Sequence, residues 1–233
     1  MALYGVIIPA YEAEAVVGDV VRCAIDAGNA VLGSAAFGGV IVVDDGSTDG
    51  TARAAERAGA CVIRHAANRG KGAALLTGFR EASARAWDAA ITIDADGQHD
   101  PSSIRDLIAV HRATAADILI GTRTRAGSGM PLPRRLSNRL ASAVVSHLAR
   151  TRVADSQSGY RLIARRVWES VPLVGERYDL ESELLVKAGR RGFRILPVPI
   201  ETRYGSERSH FHPWRDTARL VRLYWRLFPR DAD

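Results

Sequence analysis

Short apolar runs rich in valine, isoleucine and alanine recur at Tyr4–Ile8, Val40–Val43, Ala60–Ile63, Ala89–Ile93 and Ile118–Ile120. Near-continuous apolar character over so few residues suits strands covered on both faces. The stretches between them space their apolar positions as helices do. The pattern therefore predicts an α/β fold, a mostly parallel sheet flanked by helices. Ser47-Thr48-Asp49 is a start signal for the second helix and Gly59 a stop, and Asp100-Pro101 opens the fourth with proline at its first position. In an open sheet of this kind ligands bind beyond the carboxyl ends of the strands. Three polar clusters fall there: Pro9-Ala-Tyr-Glu12, Asp44-Asp-Gly-Ser47 and Asp94-Ala-Asp-Gly-Gln98.

After Gly121 the pattern changes. Thr122 to Pro133 is rich in Gly, Ser, Pro and Arg, a loop long enough to carry function, and it precedes a helix-like Arg134–Arg150. Pro197 and Pro199 bracket a short edge-like strand, Tyr204–His212 reads as a polar loop, and Pro213 opens a last helix. This organisation predicts one globular domain with a soft boundary after residue 121 and a C-terminal amphipathic helix at 213–233.

Composition narrows the class. With 47% apolar and 25% charged residues the chain has the balance of a globular protein, which excludes disordered and fibrous classes. No apolar run approaches the roughly 18 residues a spanning helix needs. The N-terminus lacks a basic region and reaches Pro9 too early for a signal peptide, so a cytoplasmic protein is expected. Lys and Arg number 32 against 26 Asp and Glu, a net charge of +6 that suits an anionic partner: nucleic acid, membrane or phosphorylated substrate. Nucleic acid is disfavoured, because aromatic residues do not alternate with basic ones on the strands and no recognition spacing occurs. Cys23 and Cys61 are too few for a disulfide framework and, lying in apolar stretches, are expected to be buried.

Asp94 and Asp96 close an apolar strand, so both carboxylates leave the sheet at its ligand-binding edge. Two carboxylates so spaced can share a hard divalent cation, with Gln98, His99 and Asp100 as further donors. The competing reading is a loop whose aspartate caps the next helix. Asp44 and Asp45 follow Val40–Val43 in the same way and can accept from a base N–H or ribose hydroxyls, or simply form turns, while Ser47 to Asp49 cap the helix. Asn68-Arg-Gly-Lys-Gly72 has the look of a phosphate cradle, with backbone N–H groups near an anion and Lys71 adding charge. It is not a P-loop.

Ile8-Pro-Ala-Tyr11, Val43-Asp-Asp-Gly-Ser-Thr-Asp-Gly50, Asn68-Arg-Gly-Lys-Gly72, Asp94-Ala-Asp-Gly-Gln98, Gly121-Thr-Arg123 and Asp155-Ser-Gln-Ser-Gly-Tyr-Arg161 stand in one order along nearly the whole chain. In this the sequence resembles family 2 glycosyltransferases, and most of all the dolichyl- or polyprenyl-phosphate sugar synthases. The resemblance implies a GT-A fold, a nucleotide-sugar donor (UDP- or GDP-hexose), Mg²⁺ or Mn²⁺, and inversion at the anomeric carbon. It implies a nucleotide-sugar half at 1–121 and an acceptor half with a lid at 122–212. By position, Pro9, Tyr11 and Asp45 would hold the nucleoside with Asp44 beside them, and Asp94, Asp96 and Gln98 the metal and diphosphate. Asp155 and the Gln157-Ser-Gly159 turn would face the donor sugar, so that Asp96 and Asp155 are the expected catalytic residues and Lys71 and Gln157 donor contacts. One departure is Glu12-Ala13 where the family often has Asn-Glu; Glu14 is the candidate substitute.

A lipid-phosphate acceptor is already an anion and needs arginines rather than a general base. Arg123, Arg134, Arg135 and Arg139 lie where the family places acceptor contacts, and by the same resemblance Arg208 and His210 belong to a lid over the phosphates. A saccharide hydroxyl as acceptor, the main alternative, would want a base, with Asp155, Glu181 and Glu183 as candidates. A zinc site from His210 and His212 lacks acid or cysteine partners at ligand spacing. On the last helix Arg215, Arg219, Arg222, Arg226 and Arg230 fall within about 80° of one another, with aromatic and aliphatic residues elsewhere. That pattern predicts peripheral contact with an anionic membrane at its cytoplasmic face, or docking on the sheet with the arginines in water.

Overall fold

β1 (Tyr4–Ala10) is buried at every position, as a central strand covered on both faces must be. Around it, in a computed structural model that describes residues 1–123, 132–173 and 179–200, the strands follow the order β3-β2-β1-β4-β6-β5-β7. These are β2 (Phe37–Asp44), β3 (Cys61–Arg64), β4 (Ala89–Thr92), β5 (Ile118–Arg123), β6 (Arg161–Ala164) and β7 (Ile195–Ile200). All pairings are parallel except those of β6, which runs antiparallel between β4 and β5. The five expected strands all form, with bounds within three residues of the predicted ones: β2 starts three residues earlier and β5 ends three later. β6 was not expected. Its four residues include Arg161, which is buried, and neither its length nor its composition announces a strand.

The helices are α1 (Glu14–Leu32), α2 (Thr51–Arg57), α3 (Lys71–Ala84), α4 (Ile104–Thr114), α5 (Leu132–Ala149), α6 (Arg165–Ser170) and α7 (Asp179–Arg190). Alternate strand residues face opposite layers. Val6, Ile8, Val40, Val42 and Ile91 pack with Val17, Val21 and Ala24 of α1 and Leu107 and Ile108 of α4. Ile7, Ile41, Val43 and Ala90 pack with Leu75 and Phe79 of α3, Val145 and Leu148 of α5 and Leu184 of α7. Trp87, 1% exposed, lies against the bare backbones of Gly5 and Gly38, where an added Cβ would come within 2.2 Å of the indole.

The helix starts refine the expected ones. α2 begins at Thr51, whose N–H donates to Asp49 Oδ1 at 2.9 Å. Pro101 opens a short 3-10 turn, Pro101–Ser103, capped by Asp100 and running into α4. The expectation for the cysteines is corrected: Cys23 is exposed and Cys61 partly exposed. α1 buries its Val17–Val20–Val21–Ala24 face and leaves Cys23 outside, and Cys61 lies on edge strand β3 with Arg85 Nη2 donating to its sulfur at 3.0 Å. β6 and β7, from beyond residue 121, pair with β4 and β5, so one sheet runs through both expected halves. Among the described residues no helix is long and apolar enough to cross a membrane. The expected helix 213–233, Arg208 and His210 lie outside the described residues, as do the side chains of Arg123, at the end of β5, and Arg134, in the first turn of α5.

Candidate active site

The carboxyl ends of the six parallel strands share one edge of the sheet, and β6 starts there, with Arg161 opposite Thr92. This topology brings together Pro9–Glu12, Asp44–Ser47, Asp94–Gln98 and the Asp155–Gly159 turn. The loops after β1 and β2 are laced to each other. Glu12 N–H donates to Ser47 Oγ (2.9 Å) and Ala13 N–H to Thr51 Oγ1 (2.8 Å); in return Glu12 accepts from Thr48 N–H (2.8 Å) and Glu14 from Gly50 N–H (2.9 Å). Glu14, the candidate to replace a missing acid at position 13, thus serves as a cap for the neighbouring loop. Pro9 is buried, whereas Tyr11 is 52% exposed, a free aromatic face at the ligand edge.

Asp44 and Asp45 have different environments. Asp44 Oδ1 accepts from Ser47 N–H at 3.0 Å, while Arg64 Nε lies 3.2 Å from Oδ2 but off the hydrogen-bond axis, so that buried oxygen has an ion-pair partner and no hydrogen bond. Asp45 is turned to the loop after β3. It meets His65 Nδ1 at 2.7 Å and accepts from Arg69 N–H (3.0 Å) and Gly70 N–H (2.6 Å), and His65 Nε2 is 2.9 Å from Thr77 Oγ1. The anion that the Asn68–Gly72 backbone cradles in this structure is therefore Asp45 itself. Gly70, at φ 94°, supplies the left-handed conformation that lets the loop close over the carboxylate and start α3. Asp45→Ala is expected to lower stability by about 2–4 kcal/mol, because the Arg69 and Gly70 N–H groups lose their acceptor. A denaturant melt with an unchanged midpoint would return Asp45 to a purely ligand-binding role.

The same loop delivers Lys71, the first residue of α3, to the centre of the edge. Its Nζ lies 2.5 Å from Asp94 Oδ1 and 2.9 Å from Glu181 Oε2 of α7. Burial pulls the ammonium down, but the two carboxylates outweigh it and hold its pKa above the ordinary lysine value. Burial likewise raises Asp94, yet the charge and hydrogen bond of Lys71, helped by His99 and Arg161, win and keep it below the usual carboxylate range. Asp96 is exposed at the rim. The protein mass around it thins its water and the Asp94 charge repels its own, so its pKa is held above the usual value despite the Gln98 N–H at 2.9 Å.

The Asp155–Gly159 turn is fixed from three sides. Ser156 N–H donates to Ser142 Oγ of α5 (3.0 Å), Arg161 reaches back to the carbonyls of Ser158 (2.8 Å) and Ser156 (2.9 Å), and Thr92 Oγ1 donates to the Gly159 carbonyl (2.8 Å). Asp155 is half-buried and accepts from Gln157 N–H at 3.1 Å; Gln157 is exposed. A Cβ on Gly159 would stand 2.4 Å from Asp94 Oδ2, so only glycine leaves room for that carboxylate. Arg161, His65 and the pairing of Glu181 with Lys71 had no assigned place in the sequence reading. Arg161 is the last residue of the Asp155–Arg161 motif, which is a signal; nothing in the spacing marks His65 or joins Glu181 to Lys71. Arg135 and Arg139 are exposed on α5.

A hard cation prefers oxygen donors, and Mg²⁺ in particular is commonly held by one or two carboxylates with water and phosphate oxygens. Asp94 and Asp96 fit that description, and the mutual repulsion that raises Asp96 is what a cation between them would relieve. Among the described residues no group of three His, Cys, Asp or Glu side chains forms an all-protein cage. Gln98, half-buried beside them, is the remaining oxygen donor of the motif.

Residues 5–171 match the model of glycosyl transferase family 2. The chain belongs to this family. It is a glycosyltransferase, and its mostly parallel sheet flanked by helices is of the GT-A type. The chain is 30% identical over 220 residues to the UDP-N-acetylglucosamine–dolichyl-phosphate N-acetylglucosaminyltransferase of Methanococcus voltae, covering 85% of this chain and 84% of that one. It is 31% identical over 172 residues to the undecaprenyl-phosphate mannosyltransferase of Micrococcus luteus, with 69% and 70% covered. Glucosyl-3-phosphoglycerate synthase from Mycobacterium tuberculosis, crystallised with Mn²⁺, UDP-glucose and phosphoglyceric acid, superposes with a TM-score of 0.75 at 20% identity over 99% of this chain and 82% of its own, a likeness of fold.

Proposed function

We propose that this glycosyltransferase moves a hexose, with inversion, from a nucleotide sugar to a polyprenyl phosphate with the help of Mg²⁺ or Mn²⁺. The observation that carries the reading is the Asp94–Asp96 pair at the end of β4, one partner clamped by Lys71 and the other open at the rim. The relatives that act on dolichyl and undecaprenyl phosphates support the choice of acceptor. Tyr11 offers its exposed ring to the nucleoside, with Pro9, Asp44 and Asp45 forming the floor beneath it. Asp94, Asp96 and Gln98 hold the cation, which when bound neutralises the diphosphate and makes it a better leaving group. Lys71 and Gln157 complete the donor contacts, and Asp155 meets the sugar. An oxygen of the acceptor phosphate attacks the anomeric carbon as the bond to the nucleoside diphosphate breaks and that group departs with the electron pair. The attacking oxygen is already anionic, so no general base is required.

On the acceptor side the proposal assigns the phosphate to Arg123, Arg134 and Arg135, with Arg208 and His210 as a lid. Leu136 and Leu140, 69% and 58% exposed on successive turns of α5 beside Arg135 and Arg139, suit contact with a lipid and its anionic headgroups. With the arginines that the sequence spaces at helical intervals over 213–233 they support a peripheral position at the cytoplasmic face of a membrane. The donor is proposed to be a UDP-sugar rather than a GDP-sugar, because the 68–72 and 155–159 motifs look closer to the glucosyl branch. Arg134→Ala and Arg135→Ala are each expected to raise the acceptor KM several-fold while leaving the donor KM nearly unchanged. Equal effects on both substrates would place these arginines outside the acceptor site.

A further inference from the structure

Lys71 is held at two levels. Its backbone is fixed, because the preceding Arg69 and Gly70 N–H groups are pinned by Asp45 and, through Asp45, by His65. Its head is a flexible ammonium bonded to two carboxylates of different fate. Asp94 Oδ1, at 2.5 Å, belongs to the pair assigned to the cation, whereas Glu181, on α7 and 15% exposed, offers Oε2 at 2.9 Å and has its other oxygen, Oε1, 3.9 Å from Arg161 Nη2. A divalent cation at Asp94 Oδ1 would meet this ammonium at the same oxygen, and two positive charges cannot both lie against it without strong repulsion. Glu181 gives the ammonium somewhere to stay when it yields Asp94, so the displacement does not strand a largely buried charge.

We propose that Lys71 competes with the divalent cation for Asp94, and that the donor diphosphate ends the competition by drawing the ammonium onto its own oxygens, so that cation and nucleotide bind cooperatively. Lys71 then acts as an electrostatic gate. The cation alone is opposed by the lysine, the nucleotide alone lacks the cation's charge, and the two together give Asp94, the ammonium and the diphosphate each a partner of opposite sign. The proposal rests on the metal-dependent, nucleotide-sugar reading above and adds an order of preference to it. By linkage, whatever factor the nucleotide adds to cation affinity the cation adds to nucleotide affinity.

The test is calorimetric titration of the full chain with Mn²⁺, alone and with UDP or GDP present, and of UDP or GDP with and without Mn²⁺. In the native protein the nucleotide is expected to tighten Mn²⁺ by about tenfold or more. In Lys71→Met, Mn²⁺ alone should bind about tenfold more tightly than in the native protein, and the tightening by nucleotide should shrink to within about threefold. Lys71→Arg, which keeps the positive charge against Asp94, should leave Mn²⁺ alone no tighter than native. Lys71→Gln, which removes the charge while keeping a polar amide, carries the same test should the methionine variant lack a cooperative thermal transition. If removing the charge leaves both the affinity for Mn²⁺ alone and the cooperativity at native values, the gate is overturned while the metal-dependent reading stands. If the native protein binds no Mn²⁺ with either nucleotide present, that reading fails and the gate with it.

Discussion

Asp96→Asn is expected to reduce kcat/KM for sugar transfer by about 10²–10³-fold or more, the usual cost of removing a charge-stabilising group from a transfer site, without lowering Tm appreciably. The side chain is exposed, and the hydrogen bond it accepts at Oδ1 from Gln98 N–H is one that asparagine can also accept. Packing is therefore preserved and the charge alone is lost. Desolvation by the surrounding protein and the Asp94 charge both raise the pKa of Asp96, and a cation between the two carboxylates would relieve that repulsion. Steady-state kinetics with a chelator control check this. Near-native turnover by the variant, or turnover indifferent to EDTA, would remove the cation from the account.

Gly159→Ala is the second large effect, and it arises from space. The new Cβ would fall 2.4 Å from one oxygen of Asp94 and 2.6 Å from the other. The backbone at 159 cannot retreat freely, since Thr92 holds its carbonyl and Arg161 the carbonyls of Ser156 and Ser158. Asp94 must move instead, and with it the contact to Lys71. Transfer should fall about 100-fold or more, accompanied by a loss of about 1–3 kcal/mol in stability as in other overpacked sites. Denaturant melts and kinetics on the same preparation separate the two. An alanine variant with native kcat/KM would show that the position of Asp94 does not govern the reaction.

The parts of the fold that were legible in the sequence are those whose residues answer to burial alone. Val40–Val43 and Ile118–Ile120 read as strands because they are short apolar runs rich in β-branched residues, which suit a covered sheet position. β6 escaped because its neighbours, not its own residues, make it a strand: Arg161 is tolerated there only because its guanidinium meets the carbonyls of Ser156, Ser158 and Glu181. In the site, Asp94 and Asp96 were legible as acids at a strand end. Asp45 looked identical to them at that level, yet its carboxylate points to the His65–Gly70 loop, because an acid after a strand can accept from a loop N–H as readily as from a ligand. The pairing of Lys71 with Glu181 needed α7 to be placed across from α3, which no local pattern encodes. The requirement for glycine at 159 became visible only once Asp94 stood next to it.

The most direct test of the account is transfer of labelled hexose from UDP- and GDP-sugars, with Mn²⁺, to a short water-soluble polyprenyl phosphate, run beside the matching polyprenol and 3-phosphoglycerate. The expected result is a glycosylated polyprenyl phosphate formed with inverted anomeric configuration from a UDP-sugar, with the uncharged polyprenol a poor acceptor. Transfer to the polyprenol or to phosphoglycerate as fast as to the lipid phosphate would contradict it.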